Sequence, residues 1–379
     1  MATPFKIFIF TPLKIHNQQP LLHRKTTQKP TNSGLLKNRV HSLDYLRGLM
    51  AFGIMVYHYF LWTGSHPDSG TLLGRTGIYG VSVFYVLSGL TLYIVYHEKL
   101  NAANIGQYFI KRVFRIFPLL WLSILLTLFV MGKKTDTQTL VLNLTGLFGF
   151  VSPERYIAIA SWSIGNELVF YLFFPLVLLL NRKYTHSIRI FFIISALIGA
   201  WFAFVILADN QLLKWQWKAY VNPLNQLVLF SGGVYAGALF SGKKFPVFAG
   251  PVLMALSLLV FTFYPASGNQ AVLVTGVPRL VFVLLSVTLA VSFLITGFPQ
   301  GSLADKLLSR LGEATYSVYL LHPVVFFLLK TYAGLPLNAG FIVLAIAITL
   351  VVSTLVYNYF EVPFIRLGQR VINRQKIRN

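Results

Sequence analysis

The sequence predicts an all-α fold, a polytopic integral membrane bundle of about ten transmembrane helices with both termini cytoplasmic. Three observations predict it. Charged residues make up only 11% of the 379-residue chain, against about 25% in an ordinary soluble domain. Hydrophobic residues make up 56% and recur in runs of about 18 or more, long enough to cross a hydrocarbon core about 30 Å thick. Lys and Arg fall mainly in the tails and in alternate connections, the asymmetry that orients a chain in a bilayer.

Spans are expected at residues 43–62, 77–96, 113–132, 161–180, 188–207, 222–241, 247–264, 279–297, 311–331 and 338–360. The third opens on KRVFRIFPLLWL, where Pro118 pre-sets the helix entry. A shorter apolar piece over 139–151 is too brief to cross and reads as re-entrant or interfacial. In the sixth span GVYAG, Gly233 to Gly237, lets helices approach closely. Residues 1–42 read as a basic, mostly disordered cytoplasmic tail without the apolar core of a signal peptide, and 365–379 as a second basic tail. Residues 43–364 form the transmembrane domain, with no further domain expected beyond it.

The net charge of +22, from 32 Lys and Arg against 10 Asp and Glu, would suggest nucleic acid in a soluble protein. Its distribution excludes that reading, because no basic helix or aromatic-basic platform tracks a phosphate backbone. The absence of cysteine excludes disulfides, thiolate metal sites and a cysteine acyl-enzyme.

Polar residues inside apolar spans are costly and mark function. The run RGLMAFGIMVYH places Arg47 near the cytoplasmic face and His58 roughly 22 Å above the start of the first span. Glu167, in SWSIGNELVFYLFFP, is expected at nearly the same level, so that the two form a base and its orienter. Arg112 and Arg115, three apart on one helical face, join Arg47 in a cationic mouth suited to phosphate oxygens. Ser88, Trp162, Tyr316 and His322 are candidate oxyanion or acceptor contacts. For His322, which precedes Pro323, a helix kink is the plainer explanation. A metal is not expected, since His58, Glu167 and His322 lack the fixed spacing of a motif such as HExxH.

Six pieces in order, LDYLRGLMAFGIMVYHYF, YGVSVFYVLSGLTLYI, KRVFRIFPLLWL, SWSIGNELVFYLFFP, LGEATYSVYLLHP and YFEVPF, span residues 43–364. In them the chain resembles the acyltransferase 3 family of membrane-bound O-acyltransferases. The resemblance implies an enzyme of a bacterial inner membrane that moves an acyl group, usually acetyl from acetyl-CoA, to a hydroxyl, usually on a carbohydrate of the cell envelope. It implies roles for Arg47 and His58, for Arg112 and Arg115, and for Glu167. Ser82, where members often carry an acidic residue, and Asn166, where a small residue is commoner, depart from the pattern and leave the acceptor open. The rivals are a transporter or flippase of an envelope intermediate and a non-catalytic scaffold. Acyl length and oligomeric state are left open.

Overall fold

The computed structural model describes residues 41–378, so the expectations for the tail over 1–40 lie outside the described residues. Every regular element among those residues is helical. The long ones are α1 (His41–Trp62), α2 (Leu72–Tyr96), α3 (Ile105–Met131), α5 (Trp162–Lys183), α6 (Ser187–Trp201) with a π turn over Phe202–Ile206, α7 (Pro223–Phe240), α8 (Ala249–Phe263), α9 (Gly276–Ile295), α11 (Thr315–Tyr332) and α12 (Ala339–Val356). The short α4 (Thr137–Thr145) and the single turn Phe148–Val151 take the place of the expected re-entrant piece. The amphipathic α10 (Leu303–Glu313) precedes α11, and α13 (Val362–Arg378) makes the basic C-terminal segment helical.

Every expected span has its helix, with ends shifted by a few residues except α3, which starts at 105 behind a capping box formed by Asn101 and Asn104. Fewer satisfy a membrane criterion than the ten expected. Six helices are long and apolar enough to cross, and a seventh results if α10 and α11, bent by 69°, make one broken span. The shortfall has physical causes: α8 has only 15 residues, α1 carries Asp44 and Arg47, and α7 carries Asn225, Gln226 and Ser231.

Burial ranks the helices by position. In α2 the most apolar window is 67% buried, whereas in α6 it is 22%, so α2 is central and α6 peripheral. Close packing of α2 on α7 is built on two glycines: a Cβ at Gly89 would come within 2.1 Å of the Phe230 carbonyl oxygen, and one at Gly233 within 2.0 Å of that of Val86. The SG of the second span and the first glycine of GVYAG are therefore the two sides of one contact. Arg75 is buried and donates to five carbonyl oxygens, of Ser69, Phe261, Thr262, Tyr264 and Ala266 at 2.5–3.0 Å. It closes the C-terminus of α8, where carbonyls lack intrahelical partners.

Candidate active site

The first centre forms near the start of α1. Arg47 donates from Nη1 to Asp44 Oδ1 at 3.0 Å and from Nη2 to the Leu87 carbonyl at 3.2 Å and Thr91 Oγ1 at 2.6 Å, which pins it against α2. One turn away Ser88 Oγ donates to Glu167 Oε1 at 2.5 Å and accepts from the Tyr171 hydroxyl at 3.2 Å. Arg112 reaches the same place from α3, its guanidinium 5.8 Å and 5.7 Å from the ring centroids of Tyr108 and Tyr171. Its Nε is buried without a hydrogen-bond partner among the described residues. Arg47, Ser88, Thr91, Tyr96, Arg112 and Tyr171 line one cavity of about 70 Å³.

The second centre lies eleven residues on, about 16 Å along α1. His58 Nδ1 and His322 Nε2 are 2.9 Å apart, and His322 Nδ1 is 3.1 Å from the Val318 carbonyl oxygen. Trp62, one turn after His58, lies parallel to its ring at a centroid distance of 4.9 Å. The Tyr59 hydroxyl donates to the His322 carbonyl at 3.0 Å and shares a 2.6 Å bond with Thr349. His322 is fully buried and His58 half-buried. No third His, Asp or Glu joins the pair among the described residues.

Glu167 therefore stands at a different level from His58. Ser163 Oγ meets the Tyr319 hydroxyl at 2.8 Å, and Tyr319 lies about 4.5 Å along α11 from His322 toward the Arg47 end. Glu167 is one turn of α5 beyond Ser163, about 6 Å further in the same direction. The expected common level came from counting both spans from the membrane faces, and tertiary packing sets the depth of α5 instead. Gly165 lets the Phe148–Val151 turn press onto the start of α5, a Cβ at Gly149 falling 2.2 Å from the Gly165 carbonyl oxygen. Just before α5, Ala160 adopts φ 68°, the only positive φ at a non-glycine among the described residues. Its carbonyl accepts from Tyr319 at 2.9 Å and from Ser163 Oγ at 3.2 Å, and strain of this kind gathers at functional sites.

The remaining sequence candidates divide. Arg115 is not in the cavity; it faces Glu361 at 3.9 Å, in the π turn Tyr357–Glu361. Glu361 is buried and accepts a short hydrogen bond from Ser317. Tyr316 spends its hydroxyl on the Ile116 carbonyl at 2.8 Å, and Trp162 packs among Tyr85, Trp217 and Tyr220. His322 lies inside α11, which continues as one helix through Pro323, and the 69° bend falls at Ala314 between α10 and α11. Sequence reasoning missed Tyr171 and Glu361. Tyr171 stands four residues after Glu167, the spacing of helical neighbours, and Glu361 is the acid of YFEVPF.

A larger open groove of about 390 Å³ lies among Trp201, Phe202, Trp215, Lys218 and Asn222. Its polar groups are engaged elsewhere, Lys218 with Glu154 at 3.6 Å and Asn222 as the cap of α7, so it gathers no comparable chemistry.

A family model described as an acyltransferase domain matches residues 40–358. A protein of Staphylococcus aureus (strain COL) that bears the name O-acetyltransferase is 23% identical over 375 residues, covering 88% of this chain and 58% of that protein. The peptidoglycan O-acetyltransferase OatA of Listeria monocytogenes is 22% identical over 369 residues, covering 87% of this chain and 56% of that protein. ORF330 of Acidianus two-tailed virus, named an acetyltransferase, is 25% identical over 300 residues, 78% of this chain and 86% of its own length. The chain thus spans little more than half the length of the bacterial relatives. No solved structure matches.

Proposed function

Since the chain belongs to the acyltransferase 3 family, we propose that it is a multi-pass membrane O-acyltransferase that moves an acetyl group from acetyl-CoA to a carbohydrate hydroxyl of the cell envelope. The observation that carries the reading is the arrangement along α1: a cation-lined cavity at Arg47 and a paired imidazole at His58, on one helix and about 16 Å apart. A donor with an anionic end and a reactive thioester at the other needs two such stations.

In this reading Arg47 and Arg112 take the phosphates of the donor at the cytoplasmic end. Guanidinium groups suit phosphate oxygens, and the unpartnered Arg112 Nε is a donor in waiting. The cavity of about 70 Å³ has the room of a few waters, so donor entry displaces the Arg47 side chain, which is 23% exposed at the rim. Glu167 balances the two cations and holds Ser88 and, through it, Tyr171. Arg115 lies outside this contact and supports the bundle through Glu361.

At the other station His58 is the general base. The acceptor oxygen attacks the thioester carbonyl, a C–O bond forms, and the hydroxyl proton passes to His58 Nε2. The C–S bond then breaks and the proton goes to the departing thiolate, leaving an acyl ester, free CoA thiol and neutral imidazole. Relatives named for O-acetyl transfer, one of them to peptidoglycan, support acetyl as the group and a glycan as the acceptor class.

The test is mass spectrometry of envelope carbohydrate from cells expressing the native chain or His58→Ala at matched membrane levels, with acetyl-CoA consumption by the purified protein. Added acetyl mass with the native chain alone is expected. Equal acetylation by both would remove His58 as the base, and no consumption of acetyl-CoA by the native protein would favour transport.

A further inference from the structure

We infer that His322 is a positioning residue that locks His58 into the tautomer with its lone pair on Nε2; the inference rests on reading His58 as the base. The tautomers follow from one fixed point. A carbonyl oxygen only accepts, so His322 Nδ1, 3.1 Å from the Val318 oxygen, carries its ring hydrogen. In the neutral ring Nε2 is then an acceptor, and the group it accepts from is His58 Nδ1–H at 2.9 Å. The hydrogen of neutral His58 being spent there, its Nε2 is the basic atom, and among the described residues no group bonds it.

Ring geometry agrees with an N–H···N bond. The two imidazoles are 12° from coplanar with centroids 5.1 Å apart. Nitrogens 2.9 Å apart at that centroid distance place the rings edge to edge, as an in-plane lone pair requires. Trp62, by contrast, lies against the face of His58 at 4.9 Å and 6°, which leaves the ring edge open.

The fixed point is held by the helix itself, since the Val318 carbonyl lies one turn before His322 and accepts from its Nδ1–H at 3.1 Å. A flipped His322 ring would turn carbon toward that oxygen and toward His58. The Tyr59 hydroxyl holds the His322 carbonyl at 3.0 Å, fixing the backbone as well. When His58 gains a proton at Nε2, its Nδ1–H bond to His322 becomes charge-assisted and stronger. The orienting role expected of Glu167 thus falls to a neutral imidazole.

The experiment uses the full chain in lipid nanodiscs with ¹⁵N-labelled histidine, the His58 signals identified by their loss in His58→Gln. Native His58 is expected to show a protonated Nδ1 and an unprotonated Nε2. In His322→Leu the His58 tautomers mix and kcat falls about 100-fold or more while KM for acetyl-CoA is unchanged. His322→Gln, whose side-chain oxygen can accept from His58 Nδ1–H, restores at least a tenth of native kcat, which a purely structural role would not require. A native His58 carrying its hydrogen on Nε2 overturns the inference, as does native kcat in a folded His322→Leu. Should that variant fail to fold, the native spectrum and His322→Gln decide. If the native spectrum is as expected but His58→Ala still transfers acetyl, the base reading fails and the tautomer assignment stands.

Discussion

Arg47 and His58 share one helix, yet their surroundings are of opposite kinds. Around Arg47 the charged groups are Asp44 of α1, Arg112 of α3 and Glu167 of α5, with Ser88 and Thr91 of α2 between them, and beside them lies a cavity in which the Arg112 Nε lacks a partner among the described residues. Around His58 they are neutral, drawn from α1, α11 and α12, and each polar contact is made except at the imidazole edge. The difference teaches a division of labour. Unsatisfied charge in a small cavity is suited to recognising an anion, and a satisfied neutral network is suited to holding one lone pair in place.

The strongest test of that division is His58→Ala, expected to lower kcat by about 10²- to 10⁴-fold in steady-state acetyl transfer while KM for acetyl-CoA holds. Arg112→Met is expected to act the other way, raising KM for the donor about 10- to 100-fold, the worth of a charge-assisted hydrogen bond, with kcat less affected. A fall in kcat at saturating donor with unchanged KM would break the comparison. Gly89→Leu disturbs the α2–α7 contact beside Ser88, since its Cβ meets the Phe230 carbonyl oxygen. Overpacking of this kind costs about 1–3 kcal/mol or more and is read as a lowered thermal midpoint. Glu361→Gln is expected to lower that midpoint by less and to leave the donor KM unchanged, because Arg115 stands outside the cavity.

The smallest effect lies beyond both centres. Hydrogen bonds from the Thr139 hydroxyl and N–H, then Arg155, hold the Asp136 carboxyl down at about 2 from an ordinary 3.8. A depressed carboxylate contributes its stability in full above its unfolded value, and loses it as pH falls through the folded one. Asp136→Asn should therefore lower the thermal midpoint slightly at neutral pH, and the gap to native protein should close as the pH approaches 2.

Much of the fold was legible because each helix announces itself locally. Apolar runs located the ten long helices but neither the amphipathic α10 nor the helical C-terminal α13, and GVYAG marked one side of the contact between α2 and α7. The count of spans was less legible, since α1 and α7 take their setting from burial against α2 and carry polar residues that a lipid-facing helix would not. Arg47 and Arg112 were found together because both follow from charge at one end of their helices. Arg115, three residues on, was sent elsewhere by an acid 246 positions distant.

What the sequence determined by itself is the helical membrane-type architecture, the family, and the residue types that chemistry needs, because composition and periodicity act within one segment at a time. Only the tertiary structure decided pairing. It set Glu167 with Ser88 and gave His58 its partner in His322, since the depth at which two helices meet depends on the glycine contacts and on the turn that seats α5. A hydrogen bond between residues 264 apart is fixed by where those helices cross, and no local pattern along either helix records that crossing.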